Sequence, residues 1–423
     1  MAECRVAAGV KAAIDPSLRE GNCSAVPQVG ASGPAQRTFG YVSRADRPKM
    51  GCCWTVTRED CFTVSRCPLF SENRVGRMGR NRPLAPLTTL KVGGPAALMA
   101  RPAGLEELRG LLEAVNRLGC PFTVLGRGSN VLVADEGYAG VVIVMGGDLA
   151  RIELLDGGPL HRFAAAGEVL LRVEAGCSIA ALLCWCQERK LTGLEFLVGV
   201  PGSLGGAAVM NAGAHGHCLG QLVVALELVS AQERREFVVS DHRTPHLAAI
   251  SPAYVPEYAA PVCLSQSAAP CDRLHRGPCD RLHDESGERL RFAYRGVCGL
   301  PGGSVVGSLV LALRFGDAGR IKEMKREYLE SRRRSQPQGV ASAGSFFKNP
   351  PGDYAGRLIE EAGLKGVRVG DAEVSEVHAN FLLNRGGAKA VHLLELMRLV
   401  QERVLARHGV ALEPEVRLLG GGL

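Results

Sequence analysis

Between residues 193 and 216 the chain reads GLEFLVGVPGSLGGAAVMNAGAHG, with seven glycines in 24 residues. Such density removes Cβ atoms where backbone must turn tightly or come close to something else. It also argues against a long helix there, because each interior glycine costs about 1 kcal/mol relative to alanine. Two readings remain open: a set of tight turns in a strand-rich domain, or a backbone cradle for a bound group. A second glycine-rich turn, VLGRGSNVLVAD (124–135), places Gly126, Arg127, Gly128, Ser129 and Asn130 between two β-branched runs. Backbone N–H groups exposed in such a turn, joined by Ser and Asn side chains, form a nest for an anion such as a diphosphate. The spacing fits neither the Walker A loop nor the dinucleotide GxGxxG before a helix. Taken with GVPGSLGG and NAG, it suggests two separate turns gripping one long anionic ligand.

The segments around these turns are orderly. GLEELRGLLEAVNRLG (104–119) has helical apolar spacing and ends on Gly119, a suitable residue just past a helix end. FTVLG (122–126), VLVAD (131–135) and GVVIVM (140–145) predict short strands, with the GRGSN turn between the first two. A second unit begins near residue 162 with the helix SIAALLCWCQERKL (178–191). Amphipathic helices are expected at 320–334, 353–366 and 390–409, and EVRLLGG predicts a closing strand. Two stretches break this order. Residues 1–74 hold six cysteines and show no sustained period, so they are expected to be a poorly ordered extension. Residues 240–290 carry the duplication PCDRLHRGPCDRLH (270–283), and their charged, Pro-rich context reads as an inserted loop. The Cys271/His275 and Cys279/His283 pairs offer metal-ligating residue types, but that same context favours an exposed loop over a metal site.

Composition narrows the function classes. A chain of 423 residues with 46% hydrophobic and 22% charged residues is soluble and globular, with more than one domain expected. Its net charge of +7 suits an anionic ligand, but the one dense basic run, SRRRSQ (331–336), reads as a solvated helix end. Aromatic content of 5% leaves little for stacking bases, so no nucleic-acid partner is expected. No apolar run reaches the roughly 18 residues of a spanning helix, and no charged-then-apolar leader opens the sequence. The 15 cysteines, without CxxC pairs, are expected to be mostly free thiols in a reducing cytoplasm, with no metal site.

Seven motifs follow in order: TTLKVGGPA (88–96), LGRGSNVLVADEGYAGVVI (125–143), the glycine-dense stretch 193–216, FAYR (292–295), QPQGVASAGSFFKNP (336–350), HANFLLN (378–384) and LEPEVRLLG (412–420). Together they closely resemble the UDP-N-acetylenolpyruvoylglucosamine reductase family over residues 81–420, in its compact form without the extra tyrosine-bearing loop. The resemblance implies an α+β fold: a two-lobed FAD-binding module of the vanillyl-alcohol-oxidase type, followed by a small α/β substrate-binding domain. The expected boundaries are 75–316 for the FAD module, with lobes at about 81–148 and 149–316 and the insertion at 240–290, and 317–423 for the substrate domain. It also implies noncovalent FAD, NADPH as hydride donor, UDP-N-acetylglucosamine enolpyruvate as substrate, and a cytoplasmic enzyme of peptidoglycan precursor synthesis, expected to be a monomer.

The resemblance carries residues with it. FAD is expected on Gly126, Arg127, Gly128, Ser129 and Asn130, and on Gly202, Ser203, Asn211, Ala212 and Gly213. Arg295, Ser345 and Glu415 match the family's catalytic arginine, proton donor and glutamate. Hydride arriving at C3 of an enolpyruvyl ether builds an enolate, which needs preorganised donors aimed at it. The planar fork of Arg295 suits the carboxylate, and Glu415 beside an enolate calls for a raised pKa. The hydroxyl of Ser345 must deliver a proton to C2, where position matters more than acidity. Arg333 and Asn349 are expected to hold substrate, while His378 and Asn380 equally suit structural roles. The chain departs from the family pattern at Arg127 (commonly Gly), His215 (often Tyr) and Val297 (usually Ser). Two other classes compete: another flavoenzyme of the same fold, which would lack GSFFKNP with EPEV, and a noncatalytic binding protein, which would tolerate changes at Ser345 or Glu415.

Overall fold

The computed structural model describes residues 78–239, 281–284 and 286–421. The expectations for residues 1–74, and for the 240–290 insertion apart from its last strand and turn, lie outside them. No described helix is long and apolar enough to cross a membrane, and no cluster of three metal-ligating side chains occurs among the described residues.

The first lobe is a four-stranded sheet in the order Gly79–Pro83, Pro95–Ala100, Tyr138–Val144, Phe122–Leu125. Pro95–Ala100 and Phe122–Leu125 both run parallel to Tyr138–Val144. Helix α1 (Leu105–Arg117) buries Leu108, Leu111, Leu112 and Val115, one helical stripe. Just past its end Gly119 turns left-handed at φ +62°.

The second lobe is a nine-stranded sheet centred on Val223–Val229, Val305–Phe315 and Glu168–Glu174. Every residue of Val223–Val229 is buried, as a sheet covered on both faces requires. Its one charge, Glu227, is compensated: Ser308 Oγ donates to it at 2.6 Å and Arg234 Nε at 2.7 Å. Helix α2 (Ile179–Glu188) is capped by Ser178, whose Oγ accepts from Ala181 N. The short α3 (Leu204–Val209) is capped in the same way by Ser203.

Helix α4 (Ala318–Ser335) leads to the last section. Here the strands Ala341–Ser345, Phe381–Asn384, Ala372–Val374 and Arg368–Val369 form a sheet in that order. Helices α5 (Ala355–Glu361) and α6 (Ala390–His408) pack beside it, and Gly409 ends α6 at φ +67°.

The strand after the GRGSN turn goes elsewhere than expected. Phe122–Leu125 joins the first sheet, but Val131–Val133 pairs in parallel with Arg417–Leu419, far along the chain. The turn therefore bridges two sheets. Leu90, Val92 and Leu132 are buried in the same apolar core as Phe346, Phe347 and the inner face of α6. Asp135 accepts at both carboxylate oxygens from the first N–H groups of α6, Ala390 at 2.9 Å and Val391 at 3.0 Å. The physical reason is size: a three-residue strand carrying a fully buried Leu132 needs a partner strand and a core that its own lobe does not supply.

Candidate active site

Where the three parts meet lies a cavity of about 960 Å³, of the size that takes a dinucleotide-sized ligand. Its floor is made by the two glycine-rich turns, which touch. A Cβ on Gly126 would stand 2.2 Å from Ser203 Oγ, and one on Gly202 would stand 3.3 Å from Ser129 Oγ. Gly128, at φ +60°, sits with its α-carbon face against the backbone of Leu87, where a Cβ would meet a carbonyl oxygen at 2.2 Å. Among the described residues no acceptor takes the N–H groups of Arg127, Gly128, Ser129 or Asn130. Free amides in a tight turn are the donor set that a diphosphate needs, so these turns fit FAD. Arg127 lines the same cavity and adds a cation.

Above the floor stand the candidate chemical groups. Arg295 is the second residue of a two-residue loop joining strands Arg289–Ala293 and Gly296–Cys298. It has φ +57°, a conformation that favours glycine. Its Nε lies 2.8 Å from Glu415 Oε1, a close ion pair that falls short of an aligned hydrogen bond. The guanidinium carbon lies 5.3 Å from the ring centre of Tyr294. Glu415 follows a bridge between Phe347 and Pro414, and its N–H donates to Phe346 O at 2.8 Å. Burial pushes its carboxyl above the usual range, against the pull of Arg295 and Lys348.

Ser345 ends its strand opposite Phe381, directly after Gly344 at φ +76°. The following Phe346 and Phe347 are 0% and 1% exposed, so the aromatic pair anchors the segment in the core while Ser345 lines the cavity.

Most of the residues singled out in the sequence converge here. Arg295, Ser345, Glu415, Gly126 to Asn130, Gly202, Ser203, Ala212 and Gly213 all line the cavity, as does Val297. Three do not. Asn211 is buried behind the wall. Asn349 accepts at Oδ1 from Ala355 N at 3.1 Å, at the start of α5, and its N–H donates to Tyr294 OH at 3.3 Å. Arg333 points outward from α4 and is exposed.

Its neighbour Arg332 lines the cavity instead, and burial holds its guanidinium below the usual range. The helix phase carries this signal: Ile321, Tyr328 and Arg332 fall on one stripe of α4, and Arg333 does not. Tyr328 stacks on His215, with ring centres 4.3 Å apart. His215 also lines the cavity, and burial together with Arg332 lowers its pKa. His378 and Asn380 serve the protein itself: His378 Nδ1 accepts from Asn380 N at 3.2 Å, and Asn380 bonds to Phe347.

Comparison with known proteins agrees with this geometry. Residues 96–235 match the profile described as FAD binding domain, and residues 336–419 match that of the UDP-N-acetylenolpyruvoylglucosamine reductase C-terminal domain. The UDP-N-acetylenolpyruvoylglucosamine reductase of Anaeromyxobacter dehalogenans (strain 2CP-C) is 41% identical over 341 residues, which is 81% of this chain and 85% of the relative. Reductase 2 of Symbiobacterium thermophilum is 38% identical over 345 residues, covering 82% and 93%. The crystal structure of UDP-N-acetylenolpyruvylglucosamine reductase (MurB) from Thermus caldophilus superposes with a TM-score of 0.58 at 31% identity, over 81% of this chain and 99% of that one. With such identity over most of both chains, this FAD-dependent oxidoreductase belongs to the UDP-N-acetylenolpyruvoylglucosamine reductase family.

Proposed function

We propose that the protein reduces UDP-N-acetylglucosamine enolpyruvate to UDP-N-acetylmuramate with electrons from NADPH, and that Arg295, Ser345 and Glu415 carry the chemistry on the substrate side. The observation that supports this most is the convergence of those three side chains, from three distant parts of the sequence, on one cavity floored by the two glycine-rich turns. FAD would supply the hydride chemistry between NADPH and the enolpyruvyl double bond. The free N–H groups of the GRGSN turn would hold its diphosphate.

The chain's residues manage the charge and the proton. Arg295 turns its guanidinium from Glu415 toward the substrate carboxylate, whose negative charge grows as the enolate forms. The resting ion pair engages Arg295 through Nε, and Arg295 lines the cavity. Glu415 stands beside the developing enolate, and burial raises its pKa toward the neutral acid, which does not oppose that charge. Ser345 Oγ, fixed by the buried Phe pair behind it, delivers the proton to C2 from one face and so sets the stereocentre. Arg332 and Arg127 supply cations for the anionic parts of the ligands.

A spectroscopic titration tests the proposal. The purified protein is expected to be yellow, to bleach with NADPH and to regain its absorbance when UDP-N-acetylglucosamine enolpyruvate is added. Reduced protein that this substrate does not reoxidise overturns the assignment.

A further inference from the structure

We propose that three asparagines, Asn130, Asn211 and Asn380, are positioning residues, each holding the backbone that presents one of Glu415, Arg295 and Ser345. The inference rests on the function proposed above and goes beyond it by assigning roles to side chains that touch no reacting atom.

Asn211 is 2% exposed, and both ends of its amide are engaged within the protein. Its Nδ2 donates to Ala293 O at 3.0 Å, and its Oδ1 accepts from Gly220 N at 2.9 Å. Ala293 pairs with Gly296 to close the two-residue loop that contains Arg295. That loop holds Arg295 at φ +57°, against its intrinsic preference, so something outside the hairpin must fix the turn. Asn211, itself at φ +40°, ties it to the segment at Gly220. Asn is among the few non-glycine residues that visit this region routinely.

Asn380 does the same for Ser345. It is 3% exposed, and its Nδ2 donates to Phe347 O at 2.8 Å while its Oδ1 accepts from Phe347 N at 2.9 Å. Its own carbonyl accepts from Phe346 N at 2.7 Å. The strand register is irregular between Ser342 and Ser345, so the ladder alone does not fix the serine. A side-chain amide presents one donor and one acceptor in a plane, as a peptide does, and here it stands in for the missing strand partner.

Asn130 holds Glu415. Its Nδ2 donates to Glu415 O at 3.1 Å, and its carbonyl accepts from Arg417 N at 3.1 Å. The three braces share one logic. Each catalytic candidate sits where regular pairing fails, at a loop, a register shift or a bridge, and an asparagine satisfies the backbone groups left over. Asn211, expected on the cofactor from the sequence, has both ends of its side-chain amide on protein backbone, and Asn130, which lines the cavity, has its Nδ2 on the backbone of Glu415.

The test compares the two half-reactions of the holoenzyme. Asn211→Asp keeps size and the acceptor toward Gly220 but sets an oxygen against Ala293 O. Substrate-driven reoxidation is expected to slow at least about tenfold, since small misplacements of reacting groups cost up to about a hundredfold. NADPH-driven reduction is expected to stay within about threefold, as is the affinity of the apoprotein for FAD measured by flavin fluorescence quenching.

Asn380→Asp, which keeps the acceptor toward Phe347 N but sets an oxygen against Phe347 O, is expected to show the same split, and it carries the test should Asn211→Asp not fold. Weakened FAD affinity with both half-reactions falling together would make these residues cofactor ligands and overturn the proposal. So would reoxidation unchanged in both variants. Failure of the wild-type protein to be reoxidised by the substrate sinks the proposed function instead, and no variant is needed to see it.

Discussion

Glu415 shows most directly how environment sets a role for a residue. The side chain is only 13% exposed, and its nearest cation, Arg295, does not fully offset the cost of burying a charge, so its pKa rises. The sign follows. If the protonated acid is the form that serves the enolate, its population is full at low pH and shrinks as pH rises through the raised pKa. Reoxidation by substrate should therefore fall on the alkaline side. Glu415→Gln, which keeps a donor without titrating, should lose that limb in a pH series of stopped-flow traces. A variant retaining the same alkaline fall would show that another group titrates.

This residue was legible in the sequence because EPEV stands in a recognisable setting. Arg295 was legible for the same reason. Its left-handed backbone was not, since nothing in FAYRG marks the arginine as the strained member of the pair.

At the scale of elements, α4 shows where sequence reading stops short. SRRRSQ presents three successive arginines, and choosing among them needs the phase of the helix against its neighbours. The structure turns Arg332 inward, next to Tyr328, and leaves Arg333 in solvent. Arg332→Ala should raise KM for an anionic ligand by about tenfold or more, the loss expected for one charge-assisted contact. Arg333→Ala should stay within about twofold. Steady-state kinetics with each ligand varied in turn separates the two, and the reverse pattern would return the role to Arg333. The glycine-rich turns were easier to read, because glycine density reports backbone crowding directly. Their mutual contact through Ser203 and Ser129 is a tertiary fact with no local signature.

For the whole molecule, the helices and most strands lie close to where periodicity places them, whereas the partition into parts does not follow the chain. Leu90, Val92 and Leu132 belong by sequence to the first lobe and by packing to the core of the last section. Hydrophobic pattern says that Leu132 is buried but not against what. The same seam is held by Asp135, which satisfies two N–H groups at the start of α6. Asp135→Ala should lower stability by about 1–2 kcal/mol in chemical denaturation, the cost of a lost cap. A single cooperative transition should persist, because one core spans the seam. A separate, earlier unfolding of residues 317–421 would contradict the shared core.

The pairing of Val131–Val133 with Arg417–Leu419 sets a schedule for the protein's birth as well as its shape. During synthesis the GRGSN turn is made early, but the strand that fixes its far side, and Glu415 just before it, come almost 300 residues later. Closing so long a loop is slow. The nascent chain must therefore wait with one side of that turn unpaired until residue 419 has been made and the closing strand can dock.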